Sequence, residues 1–543
     1  MFSSRIPAVT NQTLIGGTVF LLGLVIAYEL AGTIAQGNTR TLEFASLGIA
    51  GCAAAIVIFR NWRTGFYLFL GWLIFEDLAR KYMHNSLALF FGKDFLAALT
   101  YVSLYAAIRK GREKSFRPVF LLPLAIFVWL GFIQIFNWNS PNVLYGLLGF
   151  KVYFYYIPLL WVGYALIRND RDLRKFLVGN VVVGILIAVV GIIQAIVGNS
   201  FLNPQVLDPY LVRLGDLEKY TPIGSQGFNL PDSIFVSVGR FGAYLIVIWI
   251  LAIGAAGYLT LGRSRRGQKV VLGSIPVLVA AVILSGSRGT LVYVIAFGLV
   301  MVFGFLWGTS RDRSQSRLLV KVIRRSGMVA VLGFAVLVSI FPEQAGTRIA
   351  FYTQTLLPQS SAYEASWRGW GYPVQELADA FKEPNWILGN GIGVASLGRQ
   401  YVAEILNEPP PGLWVENGFG VLIIELGILA PFLWLLWSAA LAYGCWKVAR
   451  SLRGTRFYPV AFAITWYAFS LLILLTWGGL SVYQNYIDNA YLWILVGILF
   501  RLPDLRHQIP PTLVSVGEDN VPSRELVAVV QGSPHGQGDN GRS

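Results

Sequence analysis

Long apolar runs separated by short polar joints make up most of this chain, and one polar stretch, residues 341–413, breaks the rhythm. The runs mostly have about 17 to 25 residues, the length a helix needs to cross roughly 30 Å of hydrocarbon. They begin near Leu14, Leu42, Thr64, Leu87, Val119, Val152, Phe176, Ser233, Lys269, Arg288, Leu318, Leu413, Tyr458 and Ile487. The pattern predicts an all-α polytopic membrane protein of about 12 to 14 transmembrane helices with a large, partly helical outer loop. A membrane β-barrel is excluded, because its strands would read as short alternating segments.

The same pattern divides the chain. Residues 1–340 read as transmembrane helices with an irregular outer loop at 198–232, and 341–413 as the large loop. Further transmembrane helices fill 414–506, and 507–543 is a tail rich in Pro, Gly, Ser and mixed charge. The tail's composition predicts disorder. The run from Leu14 is followed by many others and lacks a small-residue cleavage site, so it reads as an anchored first helix. The run from Thr64 is short and meets Glu76, Asp77, Arg80 and Lys81, which predicts a tilted, broken or re-entrant segment. Trp and Tyr near run ends, such as Trp129, Trp138, Tyr153 and Tyr155, fit an interfacial belt. No internal repeat is visible.

Composition agrees: of 543 residues, 55% are hydrophobic and 13% charged, and the mean hydropathy is +0.59. A net charge of +15 would suit nucleic acid if the cations clustered to meet phosphates. Instead they gather in every second joint, as in Arg109-Lys110-Gly111-Arg112 and Gly262-Arg263-Ser264-Arg265-Arg266. That is the cytoplasmic bias of membrane proteins. It removes nucleic acid as a partner, sets both termini in the cytoplasm and turns 341–413 outward. Two cysteines, Cys52 and Cys445, make no disulfide framework or metal site.

Within the outer loop, Val374, Leu377, Ala378 and Phe381 recur at helical spacing, which predicts an amphipathic helix over 373–383 lying apolar face down on the bundle. Pro373 suits its first turn and Pro384 ends it. The loop at 198–232 carries several prolines and Arg213, Asp216, Glu218 and Lys219. It is expected to be irregular and to fold over the main loop as a lid.

Chemistry points first to Arg288, in Ser285-Gly286-Ser287-Arg288-Gly289-Thr290 at the junction of two apolar runs. A guanidinium there matches phosphate oxygens in bidentate fashion, and the start of a helix adds N–H groups and a favourable dipole. Ser287 and the glycines would let backbone approach the anion. The competing reading is an arginine snorkelling to the interface. Arg240 opens another run and could reach the same anion or snorkel in its turn. The loop supplies Arg348, Arg368 and Arg399, and Trp367 and Trp370, spaced to share a helical face, either stack on sugar rings or anchor in lipid. Gly389, Gly391 and Gly393 lack the spacing and preceding strand of a dinucleotide fingerprint and read as a tight turn. Glu425 should face the bundle and find a partner.

The Ser-Gly-Ser-Arg-Gly-Thr motif is followed by an outer loop with Arg and Trp, Leu388-Gly389-Asn390-Gly391-Ile392-Gly393, then Glu416-Asn417 and Glu425-Leu426-Gly427. Together these resemble the O-antigen ligase and O-antigen polymerase superfamily of bacterial cell-surface glycan enzymes. The resemblance covers roughly residues 232–437 as a constellation. It implies an inner-membrane glycosyltransferase that uses a glycan carried on undecaprenyl pyrophosphate, without metal, cofactor or nucleotide sugar, beside a flippase and a chain-length regulator. By position Arg288 and Arg368 match the family's pyrophosphate-binding arginines, and Asn417, next to the base position, joins Arg348 as a candidate to bind pyrophosphate or glycan. There the family's ligases carry a histidine and this chain has Glu416, a general base if burial raises its pKa or a plain ion-pair partner. The swap favours a polymerase of capsule or exopolysaccharide repeat units over a ligase transferring glycan to a lipid or protein. A transporter with Glu29, Glu425 and Asp488 along a polar path is the rival from another class. His84, His507 and His535 lie where none is placed as a base.

Overall fold

A computed structural model describes residues 39–83, 86–204, 217–262, 264–309 and 313–507. The run from Leu14, Glu29, His84, Arg213, Asp216 and the tail beyond 507 lie outside the described residues. Helices dominate: α1 (Thr39–Arg60), α2 (Trp62–Tyr82), α3 (Leu87–Arg109), α4 (Leu121–Gln134), α5 (Val143–Phe154), α6 (Leu159–Leu166) and α7 (Asp170–Val197). After a hairpin of β1 (Glu218–Tyr220) and β2 (Gly227–Asn229) come α8 (Val238–Leu261), α9 (Arg265–Leu284), α10 (Arg288–Thr309) and α11 (Arg313–Ile340). The long polar stretch holds α12 (Pro342–Leu356), a π-helical turn at Trp367–Gly371, α13 (Tyr372–Ala380) and α14 (Arg399–Leu406). The rest is α15 (Gly418–Leu426), α16 (Ala430–Ser451), α17 (Tyr458–Phe469), α18 (Leu475–Gly478), α19 (Ser481–Gln484) and α20 (Tyr486–His507).

Among the described residues eight helical stretches are long and apolar enough to cross a bilayer, from Val143–Leu166 to Tyr458–Gly478. The chain is an all-α multi-pass membrane protein. Helices α2, α3 and α20 are as long, at 21, 23 and 22 residues, but carry more charge. Glycines let backbones meet where lipid gives no drive for association. A Cβ on Gly163 of α6 would lie 2.2 Å from the Ile494 carbonyl of α20, and one on Gly497 of α20 would lie 2.1 Å from that of Leu160. The central α8 does the same against α17, through Gly254 beside Ala463 and Gly257 beside Pro459.

Several expectations change. The segment from Thr64 is not broken: α2 runs as one helix, with Glu76, Asp77, Arg80 and Lys81 buried in ion pairs. The loop at 198–232 is not wholly irregular, for β1 and β2 pair antiparallel with Lys219 opposite Phe228. Tyr153 belongs to the core, not to an interfacial belt, whereas Trp129 and Trp138 stand exposed as a belt requires. Finally, α13 ends at Ala380 and buries Pro373 and Ala380, leaving Val374 and Phe381 each 41% exposed. Its apolar face looks away from the bundle, alongside the exposed Trp367 and Trp370.

The run from Leu413 is two helices, not one. α15 stops at Gly427, whose φ of 88° ends it, and α16 restarts at Ala430. A helix end buried at such a break needs partners for its last carbonyls. Here the Asn390 and Gly391 N–H groups donate to Ile424 and Glu425 oxygens at 2.8 and 3.1 Å, and Gln134 Nε2 donates to Leu426 at 3.3 Å. Gly389, Gly391 and Gly393 all have positive φ, and a Cβ on Gly393 would sit 1.9 Å from the Tyr145 carbonyl. The second half of 341–413 is thus a plug inside the bundle, with Ile392, Val394 and Ala395 in the core.

Candidate functional site

The turn between α9 and α10 explains where Arg288 sits. Gly286 takes a φ of 66°, and a Cβ there would meet Leu230 at 2.4 Å, so the hairpin packs tightly on the turn. Ser287 Oγ accepts from the Thr290 N–H at 3.3 Å and from its hydroxyl at 2.9 Å. It caps α10, a different use from the anion contact expected of it. Arg288, at the first position of the helix, points its Nη1 at Glu364 Oε2, 2.9 Å away, and lies 5.3 Å from the Phe351 ring.

Glu364 collects a second cation. Arg368 Nε is 3.8 Å from the same oxygen, and its Nη1 is 4.0 Å from Glu416 Oε2. Lys219 of the hairpin lies over the Phe351 ring at 5.2 Å. Burial, reinforced by the Arg288 and Arg368 charges and opposed by Glu364, holds its pKa below the ordinary lysine value. The hairpin thereby folds over α12, with Ile223 and Gln354 exchanging hydrogen bonds of 3.0 and 3.2 Å. Glu416 is tied through its backbone N–H to Glu376 at 2.7 Å. Tyr372 touches both carboxylates, and burial together with Glu416 and Glu376 pushes its hydroxyl up to about 12. The Glu416 side chain remains 48% exposed, so the burial asked of a general base is not found. Beside the cluster, Trp370 packs on Trp477 at 5.2 Å, whose indole N–H donates to the Gly369 carbonyl at 3.2 Å. Trp367 and Trp370 are open to contact, 51% and 69% exposed.

Three expected contributors serve the scaffold instead. Arg348 is buried, and burial lowers its pKa to about 10. Its guanidinium donates to the carbonyls of Leu284, Gln344, Ala195 and Asn229, which ties α12 to α9, α7 and the hairpin, and at 1% exposure it is shut away from the surface. Asn417 caps α15 through Gly420 and donates to the Pro373 and Trp477 carbonyls at 3.1 and 2.9 Å. Arg399 donates to the Leu413 carbonyl and covers the Trp414 ring at 4.8 Å. Glu425 does face the bundle, accepting from Tyr153 at 2.7 Å, Ser396 at 2.8 Å and the Ala395 N–H at 2.9 Å.

Arg240 is not part of the Arg288 cluster. It binds Asp77 through Nη1 at 2.7 and 2.9 Å and lines a cavity of about 350 Å³ whose wall includes Lys93, Lys151 and Asp488 but neither Arg288 nor Arg368. Sequence reasoning missed Glu364, Lys93 and Lys151. Lys93-Asp94 inside an apolar run is a signal that an intramembrane ionisable residue should be weighed as functional; Glu364, in a polar loop, gives none. Comparison with family models, with curated proteins and with solved structures returns no match.

Proposed function

We propose that this chain is an integral membrane glycosyltransferase that polymerises undecaprenyl-pyrophosphate-linked oligosaccharide repeat units of a capsule, exopolysaccharide or O-antigen at the outer face of the inner membrane. The observation that carries the reading is the convergence of Arg288, from a helix start, and Arg368, from the polar stretch, on the single carboxylate of Glu364, with Glu416 next in line. Two guanidiniums held 2.9 and 3.8 Å from one oxyanion are already spaced to take an anion of similar size in its place. The orientation is supported by the Lys and Arg that open α11, including Arg317, Lys321, Arg324 and Arg325, while its other end joins the polar stretch.

In the proposed step an acceptor sugar hydroxyl attacks the anomeric carbon of the donor. The new C–O bond forms as the bond from that carbon to the pyrophosphate oxygen breaks, and the electron pair leaves with undecaprenyl pyrophosphate. The hydroxyl proton passes to Glu416, which stands exposed beside Arg368 and so acts as a weak base without the burial expected of it. Charge grows on the leaving oxygen in the transition state, which is where fixed cations stabilise most. Arg288 and Arg368 fill that role, and Trp367 and Trp370 offer rings on which sugars stack.

The test is chain lengthening of a lipid-linked repeat unit by the purified protein in liposomes with chelator present. A ladder of products that vanishes in Arg288→Ala, with the variant still folded, supports the polymerase. Transfer of finished glycan to a separate lipid or protein without a ladder would replace it with a ligase, and solute flux insensitive to Arg288→Ala would replace it with a transporter.

A further inference from the structure

The cavity of about 350 Å³ lies where α3, α5, α8, α20 and the segment leading into α14 meet, apart from the Arg288 cluster. Its wall is cationic by construction. Lys93, Lys151 and Arg240 line it, whereas the carboxylates that hold them, Glu76, Asp94 and Asp77, are not part of the lining. The lining carboxylate, Asp488, already accepts from Tyr467 at 3.1 Å and Asn485 at 3.2 Å. Carboxylates placed behind the cations fix their direction, so the face offered to a ligand is positive even though the network is nearly balanced.

Two of the cations keep donors in reserve. Arg240 meets Asp77 through Nη1 alone, and Nε and Nη2 have no hydrogen-bond partner among the described residues; its side chain is 24% exposed. Lys151 is 2.6 Å from Asp94 and 18% exposed. The remaining wall is unlike a bare phosphate site. Gln400 and Ser481 supply an amide and a hydroxyl, Gln484 and Asn485 are held in place by Leu397, Ser396, Ile487 and Asp488, and Tyr401 and Tyr486 supply rings. Amides and hydroxyls match sugar hydroxyls, rings match the C–H face of a pyranose, and the cations match an oxyanion carried on it. A volume at the small end of the range for ligand pockets accepts one or two sugar rings and leaves no room for a polyprenyl tail.

We propose that this cavity is a subsite for an acidic sugar, a carboxylate-bearing residue of the glycan, held by Arg240 and Lys151. The assignment rests on the glycosyltransferase reading and names its substrate class: the polymer carries uronic acid or a similarly acidic residue at a fixed distance from the bond being made. Specificity would follow because an acidic sugar makes charge-assisted bonds to the donors that Arg240 and Lys151 keep in reserve, which a neutral sugar makes only weakly.

The experiment measures binding without turnover. Full-length protein in nanodiscs is titrated calorimetrically with a hexuronic-acid tetrasaccharide, with the same tetrasaccharide after reduction of its carboxylates to hydroxymethyl groups, and with inorganic pyrophosphate. The acid form is expected to bind about tenfold or more tightly than the reduced form, the factor typical of a hydrogen bond to a charged group. Lys151→Gln should erase that difference without weakening pyrophosphate. Because a lone Lys151→Gln leaves Asp94 buried without its partner, the double variant Lys151→Gln/Asp94→Asn is measured beside it and should show the same loss. Equal affinity for both tetrasaccharides, no binding of either, or a loss confined to pyrophosphate would each overturn the subsite. Failure of the polymerase reading looks different: acid-sugar binding persists while no lipid-linked chain is lengthened.

Discussion

Two cationic clusters are built in opposite ways. Behind the cavity wall the Asp77 and Glu76 side chains are fully buried, and their ion pairs to the lining residues Arg240 and Lys93 are both 2.7 Å. At the Arg288 cluster, Arg368 and Glu416 are 52% and 48% exposed and stand 4.0 Å apart. Removing one member of a buried pair strands a charge and costs about 3–5 kcal/mol, whereas an exposed pair contributes about 0–1 kcal/mol. The buried cluster is therefore part of the fold and can only select what fits it. The exposed one can exchange partners, which is what a site that binds and releases a pyrophosphate requires.

The sharpest way to break this contrast is Asp77→Asn. It should lose about 3–5 kcal/mol of stability, read as thermal unfolding by tryptophan fluorescence in detergent; a change within a degree or two would mean that the α2 charges do not hold the fold. Next in size, Arg288→Ala and Arg368→Ala should each lower chain lengthening by about 10²- to 10³-fold, the usual loss on removing one oxyanion stabiliser, with unfolding unchanged. If either variant unfolds early while the surviving fraction keeps full activity, the exposed cluster is structural after all. Smaller again is Gly393→Ala, which puts a Cβ against the Tyr145 carbonyl at a φ of 98°. Roughly 2–3 kcal/mol of destabilisation is expected from strain and overpacking, and an unperturbed melting curve would show that the plug is not rigid.

How far these features could be read from the sequence depends on how local they are. The start of α10 at Arg288 and of α17 at Tyr458 fall where the hydropathy pattern set them, because helix starts are written in a few neighbouring residues. The plug was visible only as spaced glycines. Their reason, capping the broken end of α15, lies some 34 residues along the chain, as between Asn390 and Ile424. Pairings are more remote still: Arg240 finds Asp77 across 163 positions and Arg288 finds Glu364 across 76. Periodicity carries no information at such separations. Arg348 shows the same limit from the other side, since nothing local distinguishes a guanidinium that clamps four carbonyls from one that awaits a phosphate. The orientation of α13 is not written in its periodicity either, because an apolar stripe looks the same whether it is covered or, as at Val374 and Phe381, exposed.

Glu364→Gln is the smallest change and tests the contrast most directly. Arg288 and Arg368 share one Glu364 oxygen, and under the proposed function this carboxylate would stand in for a phosphoryl oxygen of the substrate. Glutamine keeps the shape and an acceptor but removes the charge that competes with the ligand. Stability should change by less than about 1 kcal/mol, because the Glu364 side chain is 41% exposed. Pyrophosphate, used as an inhibitor of chain lengthening, should bind about two- to fivefold more tightly, the factor that roughly 0.5–1 kcal/mol of lost competition represents. Weaker inhibition would mean that Glu364 positions the arginines instead of occupying them, and the exposed cluster would then be preorganised in the same manner as the buried one.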